Sequence, residues 1–263
     1  MALLSPYDTV ILAGTNAPVA FFGYRNGRSF LLNETAKTFR IDTSRQCAVD
    51  ALEALADSLD AAGKGAGDKI VYTDYRVPKM PFGRLTAEKA CAAVAALQPE
   101  NAIIVDEGLT STMHYFSLSA GLAPHSYITN TGGAIGQGMP CAVGAAVAHP
   151  DRPVINLQAD GSAMYTVQAL WTQAREGLNV TTLICANRQY SILQVEFLRA
   201  GYTSFGSKML SLTDLNNPVI NWCWISQGMG VPGVSVETCE QLAKEFKNAL
   251  AEPGPHLIEM IFR

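Results

Sequence analysis

Residues 154–190 limit what this chain can fold into more than any other stretch. Val154–Ala159 and Val180–Ala186 are apolar runs of strand length, and between them a helical segment extends from Ser162 through Glu176. Strand, amphipathic helix and strand make a βαβ unit. Each run ends in a residue able to ligate a hard cation: Asp160 after the first, Asn187 after the second. A right-handed crossover brings the C-terminal ends of parallel strands to one edge of the sheet. Asp160 and Asn187, 27 positions apart, are therefore expected to face one site. Gly161 and Ser162 open the intervening helix, where free N–H groups and the helix dipole favour a phosphate. An oxygen-ligated cation beside such a helix start is how proteins commonly hold Mg²⁺ on a diphosphate.

The remaining chain alternates in the same way. Residues 9–13 and 19–22 read as strands and 47–59 as a helix, followed by a flexible glycine-rich break at 61–67. Residues 68–83, with Pro78 and Pro81, read as a linker. Thr86 is an acceptable N-cap for a helix over Ala87–Leu97, which Pro99 stops. Residues 102–105 form a short buried strand ending in Asp106-Glu107-Gly108, and Thr110 and Ser111 follow, where the ligands of α/β sheets bind. Tyr127-Ile128 leads into a turn with glycines at 132, 133, 136 and 138, then a helix over 140–148. A short helix is expected over 192–198, and a loop-rich cover over 201–217. A helix over 218–227 is expected with Asn217 as its cap. A strand at 234–236, a capping box Thr238-x-x-Gln241 with its helix, and a closing strand at 257–262 complete the chain. With no β-only region, the expected fold is α/β: a doubly wound, mostly parallel sheet flanked by helices.

The 263 residues are 48% hydrophobic and 16% charged, which suits a well-buried core rather than disorder. A net charge of −4 gives no sign of nucleic-acid or membrane-surface binding. No apolar stretch reaches the length of a membrane span. The six cysteines, at 47, 91, 141, 185, 223 and 239, form no Cys-x-x-Cys, so a zinc site or disulfide framework is not expected and a reducing cytoplasm fits.

Residues 154–190 resemble the thiamin diphosphate signature. That pattern is Gly-Asp-Gly, about 25 residues, then Asn-Asn; here it stands as Ala159-Asp160-Gly161-Ser162 and Ala186-Asn187. Both metal-ligating members are present, and alanine replaces their neighbours. With Thr131-Gly132-Gly133-Ala134-Ile135-Gly136-Gln137-Gly138 upstream and Met164 to Thr172 within, the chain is similar to the C-terminal part of the acetolactate synthase and benzoylformate decarboxylase group. The resemblance implies that residues 84–263 bind the cofactor and residues 1–67 are the C-terminal half of a middle domain. It implies Mg²⁺ on Asp160, Asn187 and the Gln189 carbonyl, with Thr110, Ser111, Gly161, Ser162 and Tyr190 around the diphosphate. Ile135 matches the apolar wedge that bends the cofactor, and the Gly133 carbonyl matches the acceptor for its 4′-amino group; these two are the catalytic candidates. Gln194, Glu196 and residues 201–217 are candidates for the substrate side, and a lone His114 is more often structural.

The family activates the pyrimidine ring with a Glu from a pyrimidine-binding domain. None of Glu34, Glu53, Glu88 or Glu107 sits in a matching motif. The chain thus resembles the diphosphate half of an active site, inactive alone, acting on a 2-oxo acid in a homo-oligomer with a pyrimidine domain from elsewhere. Nothing in the sequence supports FAD. Two rivals stand beside this reading. A nicotinamide-dependent oxidoreductase should carry G-x-G-x-x-G, whereas the glycines here run G-x-x-G-x-G. A non-catalytic cofactor-binding or assembly subunit would use the same fold without turnover.

Overall fold

A computed structural model describes residues 4–20, 22–24, 27–61, 63–64 and 73–262. The chain divides into two compact units after residue 72. In the first, β1 (Thr9–Leu12) pairs in parallel with β2 (Lys37–Arg40), and helix α1 spans Ala48–Ser58. The strand expected at 19–22 is not formed by the described residues there. Val19 makes only an isolated antiparallel bridge to Phe30, and β2 takes the place beside β1. Residue 21, residues 62 and 65–67 of the expected break, and residues 68–72 of the expected linker lie outside the described residues.

The second unit is built on six parallel strands. In chain order it contains α2 (Ala87–Leu97), β3 (Ile103–Glu107), α3 (Tyr115–Ser119), β4 (Ser126–Thr129) and α4 (Gly138–Ala148). Then come β5 (Val154–Ala159), α5 (Asp160–Ala163), α6 (Ala169–Arg175), β6 (Val180–Ala186), α7 (Ser191–Arg199) and α8 (Ser207–Thr213). Helix α9 (Trp222–Gly228), β7 (Gly233–Val236), α10 (Cys239–Ala251) and β8 (His256–Ile261) close it. The strand order is β4-β3-β5-β6-β8-β7, and every neighbouring pair is parallel.

Helices on both faces explain why the inner strands are continuous apolar runs rather than alternating ones. Every residue of β3 and β6 is buried, whereas the edge strands β4 and β7 are largely not. Successive side chains go to opposite faces. Ile155, Leu157, Leu183 and Cys185 pack on one side with Val94 of α2 and Leu242 and Phe246 of α10. Ile184 and Ala186 pack on the other with Met139 of α4, Leu170 of α6 and Trp222 of α9. No helix among the described residues is long and apolar enough to cross a membrane.

Two further expectations are corrected. The helix expected from Ser162 to Glu176 is two short helices, α5 and α6, because the chain turns between them: the Thr166 hydroxyl donates to the Gly136 carbonyl at 2.9 Å and the Ala169 N–H to the Thr166 carbonyl at 2.9 Å. The helix expected at 218–227 with Asn217 as cap begins at Trp222. Asn216 and Val219 form an antiparallel bridge around the cis Asn217–Pro218 peptide, and Asn221 is the cap, its side chain accepting from the Trp224 N–H at 3.0 Å. The loop-rich stretch expected at 201–217 includes the short helix α8.

The capping box forms as expected: the Thr238 hydroxyl accepts from the Gln241 N–H at 3.3 Å, and the Gln241 side chain accepts from the Thr238 N–H at 3.3 Å. Helix α10 carries Leu242 and Phe246 into the core, so its start is coupled to the sheet. Thr238→Ala is expected to cost about 1 kcal/mol, a fall of about 0.5 M in the urea midpoint of the larger unit. An unchanged midpoint would show that the cap contributes nothing.

Candidate functional site

Parallel strands place their C-terminal ends together, and the topology reverses between β3 and β5: the chain leaves β3 for β4 on one side and returns to β5 on the other. Such switch points are where open α/β sheets bind ligands. A cavity of about 310 Å³ lies there, walled by residues that follow β3, β5 and β6. Thr110, Ile135, Asp160, Gly161, Ser162, Asn187, Gln189 and Tyr190 all line it. Ser111 does not; it is buried behind the wall, its hydroxyl accepting from Asn187 Nδ2 at 3.4 Å. Gly133 is not on the wall either, and sits at φ 73° at the end of the Thr131–Gly133 turn. His114 and Glu196 do not line the cavity. Gln194 is also outside it, and donates to the Thr213 hydroxyl at 2.9 Å.

Asp160 is 3% exposed. Its Oδ1 accepts from the Gly161 N–H at 2.8 Å and its Oδ2 from the Arg188 N–H at 2.6 Å. Burial pushes its carboxyl up from the usual carboxylate range to about 6, against the pull of those two N–H groups. The Asp160 carboxylate thus reaches the residue next to Asn187, which brings the two expected ligands into one corner of the cavity. Asn187 is oriented by a turn of its own. Its Oδ1 accepts from the Gln189 N–H at 3.0 Å, and its Nδ2 donates to the Ser191 hydroxyl at 3.1 Å. Residues 188–190 are braced against 213–215, with Tyr190 N–H donating to the Thr213 carbonyl and Leu215 N–H to the Arg188 carbonyl. Those two bonds leave the Gln189 carbonyl outside the bridge.

Two non-glycine residues at this edge, Leu109 and Arg188, have φ of 51° and 56°. Left-handed backbone at bulky residues is uncommon and gathers at functional sites. Gly161 meets a different requirement. A Cβ there would lie 2.4 Å from Cε1 of the Tyr190 ring, so the ring can lie on the start of α5 only because residue 161 has no side chain. Since α5 is a single turn and the Gly161 N–H is engaged by Asp160, the helix-dipole argument made from the sequence carries less than expected.

The donor set suits a Mg²⁺-diphosphate. A buried carboxylate, disfavoured as an anion, gains from a divalent cation, and Asp160 and Asn187 offer hard oxygens. Among the described residues no three His, Cys, Asp or Glu side chains cluster into a self-sufficient metal site. A cation here would need ligand oxygens as well, as Mg²⁺ does when it rides on phosphates.

Residues that the sequence did not single out also face the cavity: Leu109, Tyr165, Ser191, Ile192, Leu193 and Leu212. Helices α7 and α8 deliver the last four; the expected helix over 192–198 and cover over 201–217 hinted at all of these but Ser191.

A family model described as the thiamine pyrophosphate enzyme C-terminal TPP binding domain matches residues 108–260. A Mycobacterium tuberculosis protein carrying the name acetolactate synthase large subunit IlvX is 45% identical over 99% of this chain and 50% of its own length. Benzoylformate decarboxylase of Pseudomonas aeruginosa is 33% identical over 68% of this chain and 32% of its own. Among solved structures, the thiamine diphosphate-dependent 4-hydroxybenzoylformate decarboxylase of Rhodococcus jostii RHA1 superposes with a TM-score of 0.78 at 26% identity, over 100% of this chain and 50% of that one. The chain spans half or less of the length of these relatives. It belongs to the thiamine pyrophosphate enzyme family, and residues 108–260 are that family's C-terminal cofactor-binding domain.

Proposed function

We propose that this chain provides the Mg²⁺- and diphosphate-holding half of the active site of a 2-oxo acid decarboxylase or carboligase, similar to acetolactate synthase. The observation that carries it is the convergence of Asp160 and Asn187 at one cavity, on the ends of adjacent strands β5 and β6. Asp160, Asn187 and the Gln189 carbonyl hold Mg²⁺. Thr110, Ser111, Gly161, Ser162 and Tyr190 surround the diphosphate, with Ser111 acting through the Asn187 amide that it accepts from. Ile135 would pack against the cofactor and the Gly133 carbonyl would accept from its amino group. Thiamin diphosphate supplies the nucleophilic carbon and electron sink for attack on a 2-oxo acid. The protein's part is to hold it and exclude water.

The activating carboxylate belongs to a pyrimidine-binding domain beyond this sequence. Two observations support that. Glu107, the buried Glu that ends β3, already accepts from three protein donors. Ile135 and Tyr165, on the cavity wall, are 40% and 63% exposed, which leaves apolar surface for such a domain to cover. Residues 1–67 are part of a middle domain joined through 68–83, the whole assembles as a homo-oligomer, and six free cysteines suit the cytoplasm.

Calorimetric titration of thiamin diphosphate, with Mg²⁺ or with EDTA, tests the half-site. Binding is expected only with Mg²⁺, and Asp160→Ala is expected to weaken it at least tenfold, about 1.4 kcal/mol. EDTA-insensitive binding, or an Asp160→Ala chain that binds like wild type, would remove the metal assignment. Gly161→Ala is expected to displace the Tyr190 ring and weaken the same binding by a similar factor with little change in melting temperature; unchanged affinity would show that the ring plays no part. The 263-residue chain by itself should release no CO₂ from pyruvate or benzoylformate. Clear turnover would refute the division of the site, whereas tight binding that stays silent with a pyrimidine domain added would favour a non-catalytic subunit.

A further inference from the structure

Glu107 is 1% exposed, at the C-terminal end of an inner strand of the sheet. A carboxylate in such a place is costly unless donors satisfy it. Three do. Its Oε1 accepts from the Gly136 N–H at 2.7 Å and from Gln158 Nε2 at 3.0 Å, and its Oε2 accepts from the Gly138 N–H in a short contact. Two donors are thus backbone amides of the glycine-rich loop, 29 and 31 positions away. The third is the side chain opposite Glu107 in the β3–β5 register.

The loop is fitted around this carboxylate. A Cβ at Gly138 would lie 2.3 Å from Gln158 Oε1 and 2.9 Å from Glu107 Cβ. Gly136 has φ 88°, and its carbonyl accepts from the Thr166 hydroxyl at 2.9 Å. The residue after Ile135 is therefore held at both its N–H and its C=O. Gln158 Nε2 also donates to the Ser162 hydroxyl at 3.0 Å, on α5. A continuous chain of bonds runs from the loop through Glu107 and Gln158 to the first turn after β5.

We propose that Glu107 is the positioning residue that fixes residues 133–138 for the cofactor and locks that loop to the diphosphate side of the site. The proposal rests on the reading of Gly133 and Ile135 as cofactor contacts. Both glycine amides and the glutamine amide are donors, so both carboxylate oxygens serve as acceptors. Charge-assisted bonds of this kind are about twice as strong as neutral ones. Glutamine at 107 would keep the volume but turn an N–H toward one of these donors. Aspartate would keep both acceptors on a shorter stem.

Amide hydrogen exchange on the full chain without cofactor tests the clamp by itself. Glu107→Gln is expected to speed exchange at Gly136 and Gly138 at least tenfold. The amides of Val154–Ala159 and Val180–Ala186 should stay within twofold, and Glu107→Asp should fall between the two. Unchanged exchange at the glycines would overturn the proposal. So would equally faster exchange throughout β5 and β6, which would make Glu107 a residue of general fold stability. Calorimetry with Mg²⁺ then compares thiamin diphosphate with inorganic diphosphate. Glu107→Gln is expected to lose at least tenfold for the first and less than threefold for the second, and equal losses would overturn the positioning role. A wild-type chain that binds neither ligand would count against the half-site reading, and the exchange experiment would still decide the clamp.

Discussion

A wholly parallel sheet must deliver every strand's C-terminal end to the same edge, and the site follows from that constraint. Such a sheet needs helices on both faces to bury it, so each strand is separated from the next by a crossover. The loops that leave β3, β5 and β6 therefore meet although they are distant in the chain. Thr110, Asp160 and Asn187 reach one cavity for this topological reason. The buried apolar runs of β3, β5 and β6 make their ends a rigid mount, so polar residues can be held there without local packing of their own.

Two buried carboxylates at this edge show how environment divides roles. Glu107 and Asp160 follow or end neighbouring strands, and both are nearly inaccessible. Glu107 receives three donors and faces the interior of the loop packing. Asp160 receives two backbone N–H groups, lines the cavity, and is pushed up to about 6 by burial. A carboxylate whose acceptor capacity the protein uses suits a structural brace. One left partly unsatisfied toward a cavity suits a cation. The same residue chemistry thus fixes geometry in one case and is available for binding in the other.

The elements legible in the sequence are those whose signal is local. The apolar runs of β5 and β6, the Thr238-x-x-Gln241 box and the helix Ala87–Leu97 each declare themselves within a few residues, and each forms as expected. Asp160 and Asn187 were legible because the βαβ rule turns spacing into proximity, whereas Ile135, Gln189 and Tyr190 on the wall around them followed from the family resemblance. Other features depend on partners that local pattern cannot name. Strand β2, Lys-Thr-Phe-Arg, is exposed throughout and exists as a strand by pairing with β1. The true cap of α9 is Asn221, because the bridge between Asn216 and Val219 occupies the earlier Asn-Pro. Ser191 and Leu212 reach the cavity through the packing of α7 and α8. Glu107 stood in the sequence as a Glu without a motif, since its donors come from 29, 31 and 51 positions away.

The wall of the cavity is uneven in a way that bears on how the site works. Its Asp160 side is interior: Asp160 and Ser162 are 3% and 4% exposed. Other parts of the wall are apolar and open, with Ile135 at 40% and Leu212 at 77%. A buried polar floor can hold a diphosphate through fixed oxygens and amides, but an exposed isoleucine cannot exclude water from a reacting carbon by itself. Water exclusion strengthens electrostatics within a site, and it requires those parts to be covered. The bonds that pin Gly136 and Gly138 to Glu107 hold the Ile135 segment from behind while its side chain remains accessible in front. A segment fixed on its inner side and bare on its outer side suits the proposed pyrimidine-binding domain, which would cover it.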